Sequence, residues 1–373
     1  MNHFQVRKSV TSLRARLARR LAWAAAGGLA LVATLSALLI HGSSQAFARM
    51  WTAVGLGQPF DTLLAALAGL GGLLGAGTLV RVLLSPPPQV EGICLPRPAA
   101  TEFFGLLDEL TERFGVPAVH RVRITAEINA TVVQRPSLGV VGCLRTELLV
   151  GLPLVHSLSP AQLAAVLAHE FGHLAAQRCG WCAQGAHLRA WWLRVLDEAS
   201  ACLPLLGGGI DRLSAGFCAD MLRLSRLEEF EADALAARLV GAQAVGDALA
   251  ELSRRAEFLE HDYWPRVLAW HEADAASPVR PFREMGAGMD AGFSASAMAA
   301  AAWTAADEAG QAFHPPLRRR LCALRVSAAW RPTAAPSAAR HFFPELLPTL
   351  AWVFDRAWWE FARVRRHPMV LPD

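Results

Sequence analysis

Apolar positions follow three different rhythms along this chain, and each predicts a different kind of element. The first is continuous: Leu21 to Ile40 is uncharged and mostly apolar, and Thr62 to Val80 is a second uncharged run that Arg81 ends. Each is long enough to cross a bilayer core as a helix, at about 20 residues per span. The second rhythm is helical. Phe103, Phe104, Leu106, Leu107, Leu110 and Phe114 share one face of a predicted helix over Thr101 to Phe114, which Gly115 ends. The third is rich in β-branched residues, over Val119 to Val133 and Val140 to Val150, with a Pro-Ser-Leu-Gly turn between. It predicts a hairpin or two adjacent antiparallel strands.

Helical spacing then returns from Leu158 to Gln177, where Ser159, Pro160 and Gln162 form a capping box ahead of roughly four helical turns. From His187 to Met221 the chain is apolar, but Arg189, Arg194, Asp197, Glu198, Asp211 and Arg212 interrupt it. This reads as amphipathic helices around a Gly207-Gly208-Gly209 break rather than a third span, with contact to a membrane surface as the lesser alternative. Further helices are predicted over Leu222 to Val240, Leu317 to Val326 and the Trp-rich Glu345 to Arg366. Ala287 to Ala309 is alanine-rich, a helix or a loop. The expected fold is α+β and mainly helical, with a small antiparallel sheet and two transmembrane helices at about 21–40 and 62–80. Ser85-Pro-Pro-Pro88 breaks helix structure and closes an anchor over 1–88, leaving a main domain at 89–330 and a helical tail at 331–373.

Composition narrows the setting. Of 373 residues, 53% are hydrophobic, yet the net charge is only +4 and the 36 basic residues are scattered among 32 acidic ones. No basic, aromatic-lined platform stands out, so no nucleic-acid partner is expected. Arg7, Lys8, Arg14, Arg16, Arg19 and Arg20 precede the first span, whereas Arg49 is the one basic side chain clearly between the spans. That asymmetry predicts a multi-pass protein of a bacterial-type inner membrane, with both termini and the main domain in the cytoplasm. Ala46-Phe47-Ala48 looks like a signal cleavage site, but the apolar run before it is longer than a signal core. Seven cysteines do not make a secreted disulfide framework, and Cys179-Gly180-Trp181-Cys182 lacks the second CxxC of a zinc ribbon.

The chemistry concentrates in His169-Glu170-Phe171-Gly172-His173. Residues four apart share a helix face, so His169 and His173 can aim two imidazoles at one cation, with Glu170 beside them as a general base. Two surface histidines on a helix are the bland alternative, since a chain with 12 histidines can hold an HExxH by coincidence. A catalytic zinc needs a third protein ligand and an open position. In the later helix Glu228, Glu229, Glu231 and Asp233 cluster, and spacing alone does not choose among the glutamates; a solvated acidic face is the plain alternative.

Ser225-Arg226-Leu227-Glu228-Glu229-Phe230-Glu231-Ala232-Asp233 resembles the SR…ExxAD signature of the membrane-linked zinc metalloproteases that include the HtpX heat-shock protease and the CAAX prenyl endopeptidase. His314-Pro315-Pro316 with Arg320 is similar to that family's HPP…R motif, and Asn129-Ala130 with Thr131 and Val132 to its Asn-Ala strand. The resemblance covers roughly residues 90–326 and implies a zincin-like domain holding one Zn2+ per chain. It implies Glu229 as third ligand beside His169 and His173, Asp233 as a support of the metal site, and His314 and Arg320 as contacts for substrate or oxyanion. Asn129, Ala130 and Thr131 would border the cleft and pair with an extended peptide. The implied activity is zinc-dependent endoproteolysis of unfolded or membrane proteins in membrane quality control. Two alternatives are a regulatory protease that cuts one partner and a membrane-tethered holdase or scaffold with a structural zinc. HtpX-type members carry two further spans between HExxH and the glutamate, where this chain carries charges.

Overall fold

The computed structural model describes residues 3–138, 141–177, 181–273, 279–296, 314–327 and 335–364. They divide into two compact units, one within 1–89, 135–144 and 177–227, the other within 90–134, 145–176 and 228–373.

The first unit is helical apart from its share of one strand pair. Helix α1 (His3–Gly55) runs through the predicted first span and on through the polar stretch, since nothing from His41 to Val54 breaks a helix. Helix α2 (Pro59–Leu83) returns alongside it, and both are long and apolar enough to cross a membrane. Glycines allow the close approach. A β-carbon at Gly72 would fall 2.3 Å from Ser43 Oγ, and one at Gly69 would press on the Phe47 ring. The contact stripe is therefore Gly69, Gly72 and Gly75. Helix α6 (Trp181–Cys202) and the start of α7 (Gly207–Val240) complete the unit. The break expected at Gly207-Gly209 lies just before it, at Leu203–Leu206, and the glycines open the helix. Trp192, Val195, Leu196, Phe217 and Leu224 bury against Ala18, Leu21, Ala25 and Leu29.

The second unit is built on a four-stranded sheet in the order β1-β2-β4-β3. Its strands are β1 (Ile93–Leu95), β2 (Arg121–Thr125), β3 (Ala130–Leu138) and β4 (Val141–Gly151). The expected antiparallel sheet is in fact mixed: β1 pairs antiparallel with β2, but β2 pairs parallel with β4, Val122 opposite Leu148 and Ile124 opposite Val150. The cause is a break in the run read as one strand. Residues 126–129 separate β2 from β3, and β4 then inserts between them. Val122, Ile124, Leu148 and Val150 are buried at alternate positions.

Helices α3 (Thr101–Phe114), α4 (Leu152–Ser157), α5 (Pro160–Gln177) and α8 (Ala242–Phe258) share one core with the sheet, centred on Phe103, Leu107, Leu163, Leu167 and Phe171. Helix α8 runs into a π-helical turn, Leu259–Tyr263, then α9 (Trp264–Ala273). Helix α10 (Pro281–Ser296) covers the first part of the alanine-rich stretch, and 297–309 lies outside the described residues, as does Cys179. Helices α11 (Leu317–Leu324), α12 (Ala338–Phe342) and α13 (Leu347–Val364) follow. The tail belongs to this core. Phe343, Leu350 and Phe354 are buried in it, and Asp355 accepts from Phe282 N at 2.7 Å to cap α10.

Candidate active site

Helix α5 starts at the capping box the sequence suggests. Gln162 Oε1 accepts from Ser159 N at 2.9 Å, and Gln162 N donates to Ser159 Oγ at 3.4 Å. Two turns on, His169 and His173 stand edge to face, with ring centroids 4.8 Å apart and their Nε2 atoms 3.2 Å apart. Glu170 lies beside them, offering an oxygen within 4.8 Å of a nitrogen of each ring.

Helix α7 meets this face because residue 172 is glycine. A β-carbon there would fall 2.9 Å from the carbonyl oxygen of Ala232, a backbone atom that cannot swing aside. The close approach buries Glu229 and Asp233 against the histidines. Glu229 Oε1 is 3.3 Å from His173 Nε2, and its Oε2 is 3.5 Å from His169 Nε2. Asp233 Oδ1 accepts from His169 Nδ1 at 2.9 Å, which turns the other ring nitrogen toward Glu229 and His173. Of the three glutamates that spacing left open, Glu229 faces the histidine pair.

The donor set suits a divalent cation. Two imidazole nitrogens and a carboxylate bound at 2.0–2.1 Å to a tetrahedral zinc lie about 3.3 Å from one another; here the two imidazole nitrogens are 3.2 Å apart, and Glu229 puts one oxygen 3.3 Å from His173 and the other 3.5 Å from His169. Glu229 Oε2 is a further sign. It is buried and has ionic neighbours, yet no contact to it has hydrogen-bond geometry. Burial would raise the Glu229 carboxyl, but His169, His173, His314 and Arg320 hold it far below the usual carboxylate range. Burial would likewise depress His169, yet the Asp233 and Glu229 carboxylates that face its ring nitrogens push it up to about 9. A cation at Nε2 therefore takes the place of a tightly held proton.

His314 and Arg320 both come to this site, from different sides. His314 is half exposed and puts Nδ1 3.0 Å from Glu229 Oε2. Arg320 is buried in α11 and works behind the carboxylates. Its Nε and Nη2 donate to Asp233 at 2.8 and 2.7 Å, and Nη1 is 3.2 Å from Glu229 Oε2. The guanidinium pairs with the acids that face the histidines and also borders the cleft over His169.

A cleft of about 570 Å3 opens over His169 and Glu170. Glu127 to Ala130 form one wall, at the entry to edge strand β3. Thr131 adjoins it through a hydrogen bond from Asn129 Nδ2 at 3.1 Å. Gly151 fixes that wall, since any β-carbon there would run into the carbonyl oxygen of Glu127. The opposite wall is Val245, Ala248, Leu249 and Leu252 of α8, with Glu260 and His261 of the π-helical turn beyond. Sequence reasoning missed this wall. Its helical spacing is plain in the chain, but spacing does not say that the face lines a cleft rather than a core.

Comparison with known proteins adds one result. No curated protein and no solved structure matched the chain. The family model for peptidase family M48 matches residues 139–328, a stretch that holds the histidine helix, Glu229, Asp233, His314 and Arg320. With half of its length accounted for by that model, and with His169, Glu170 and His173 offering ligand atoms close enough together for a metal ion, the chain belongs to peptidase family M48, the metallopeptidases.

Proposed function

We propose that this chain is a membrane-anchored, zinc-dependent endopeptidase that cuts extended segments of damaged or misassembled membrane proteins on the cytoplasmic side. One observation carries the reading: a carboxylate, Glu170, stands beside the paired imidazoles of His169 and His173, and both Glu170 and His169 line an open cleft. A site serving structure alone has no use for a base next to its ligands, which argues against the scaffold alternative.

His169, His173 and Glu229 would hold the ion. When bound, zinc would supply Lewis acidity there, which would activate water and polarise the scissile carbonyl. Glu170 accepts the proton of the attacking water and returns it to the leaving amine. Asp233 fixes the His169 tautomer, and Arg320 holds Asp233 and Glu229 in place. His314, half exposed at the cleft, is the group we assign to the oxygen that gains charge. The edge of β3 beyond Asn129 and Ala130 receives the substrate as an added strand, a mode that selects extended, unfolded chains. The cytoplasmic side follows from the basic residues ahead of the first apolar run, Leu21 to Ile40.

Glu170→Gln tests the assignment. The variant should retain one zinc per chain while peptide hydrolysis falls by at least about 100-fold, as general-base loss predicts. Hydrolysis by pure Glu170→Gln at the parent rate would refute the base. In cells, fragments of many membrane proteins should disappear in the variant; loss of a single fragment would favour the regulatory protease.

A further inference from the structure

The connection between α6 and α7 stands apart from the cleft and carries an unexplained surface. Ala199 to Ile210 is uncharged throughout, and its middle reads Leu203-Pro204-Leu205-Leu206-Gly-Gly-Gly. Leu205 is 99% exposed and Leu206 61%, and Leu213 one turn into α7 is 54% exposed. Scattered exposed leucines are ordinary. Two adjacent ones in a helical turn-around, with no charge for twelve residues, are not.

The packing of this unit says what faces them. Helix α6 runs beside α1 in the same direction. A β-carbon at Gly185 would touch Ala22, and one at Gly28 would fall 2.5 Å from the Trp192 ring. As α6 proceeds, it therefore advances along α1 toward Leu31, Leu35, Leu38 and Ile40, the exposed apolar side chains of the first candidate span. Two contacts mark the level at which it passes the end of α2. Trp191 Nε1 donates to Leu83 O at 2.8 Å, and Glu198 pairs with Arg81 at 3.2 Å. The charges of this region gather at that level: Arg81, Asp197 and Glu198, with Asp211 tied across by Ser200 Oγ at 2.6 Å. Four more residues of α6 then carry the chain about 6 Å past the Arg81–Glu198 pair before the turn. That matches the 5–10 Å depth to which interfacial apolar elements enter a bilayer.

We infer that the Leu203–Leu206 turn dips into the acyl layer of the same leaflet that α1 and α2 enter, with the ring of charges resting at the headgroups. The occupant of this surface is lipid, because its apolar face continues that of the spans. The inference rests on the membrane-anchored reading of α1 and α2. It makes the α6–α7 connection a second membrane contact, one that enters a single leaflet and does not cross.

Photolabelling the full chain tests it without altering the protein. The chain is reconstituted in phosphatidylcholine–phosphatidylglycerol vesicles that contain a phosphatidylcholine with a diazirine on its acyl chain. After irradiation, labelled residues are mapped by peptide mass spectrometry. Labels on Leu203–Leu206 at a yield within about threefold of those on Leu31–Leu38 are expected, with none on α8. Leu205→Asp with Leu206→Asp should remove the label from the turn by at least tenfold and leave that on α1 and α2. Labels confined to α1 and α2 would overturn the inference and leave the anchor intact. An unlabelled α1 and α2 would overturn both. A turn that stays labelled in the double variant would show that the leucines do not carry the contact, which also overturns the proposal.

Discussion

Arg320 donates to Asp233 through two nitrogens and pairs with Glu229 through a third, and its place in α11 shows what a single side chain does for the cation site. Asp233 and Glu229 are buried acids a few ångströms from imidazoles that an ion requires in neutral form. The guanidinium spans both with a planar fork, which an ammonium cannot do. Arg320→Lys should therefore weaken zinc binding by roughly 10- to 100-fold, read by chelator competition, with little change in peptide KM at saturating zinc. An unchanged zinc Kd with a lowered kcat would return Arg320 to the oxyanion role. The residues meeting here were largely legible in the chain, because an imidazole pair four apart and a carboxylate set four apart have few other uses together. The direction in which Arg320 points was not: spacing gives a residue's helix face but not which acid its long side chain reaches.

A second residue couples the fold to pH. His156 in α4 has a ring nitrogen, Nδ1, shut away from solvent without a hydrogen-bond partner, and it packs against Gly286. Burial, then the nearby Arg340 charge, depresses it to about 4. Its folded pKa lies below its unfolded value, so the unfolded chain takes up a proton first. Its stabilising effect is whole above pH 6.5 and drains away as the pH falls toward 4. The loss is on the order of 1–3 kcal/mol once partial exposure is discounted. Urea midpoints of the parent should fall between pH 7 and pH 4.5 more steeply than those of His156→Gln; parallel curves would contradict the assignment.

At the scale of elements, the decisive contact is α5 on α7. Gly172 lets the two helices close to backbone distance at Ala232, and that closeness sets the separation between the histidine pair and Glu229. Gly172→Ala puts a methyl group 2.9 Å from a carbonyl oxygen. It should cost about 1–3 kcal/mol in stability and lower zinc affinity together, because the helices must part to admit it. A variant with parental melting and zinc content would mean that the helices have room. The two helices were predictable from apolar spacing and a capping box, and their mutual approach was not, since a lone glycine inside a helix has several meanings. The sheet shows the same limit. Its β-branched runs were visible, but a four-residue interruption after Thr125, too weak to read as a turn, converts an antiparallel hairpin into a mixed sheet. Likewise, α1 outran its predicted end because polar residues from His41 onward change hydropathy without breaking a helix.

For the whole molecule, the chain combines two helices fit for a membrane with a unit that holds a metallopeptidase site, and α7 supplies residues to both units. The broad outline came from composition and motif order. What the C-terminal residues do was hidden. A Trp-rich amphipathic helix suits a membrane surface as well as a core, and only packing shows Phe343, Leu350 and Phe354 inside. The proposed function depends on one ion held by His169, His173 and Glu229. X-ray absorption at the zinc edge, on the full chain purified in detergent, addresses this most directly. The account predicts two imidazole nitrogens at about 2.0–2.1 Å with carboxylate or water oxygen beside them, and loss of the ion in Glu229→Ala. A sulfur shell near 2.3 Å, or zinc retained unchanged in Glu229→Ala, would contradict it.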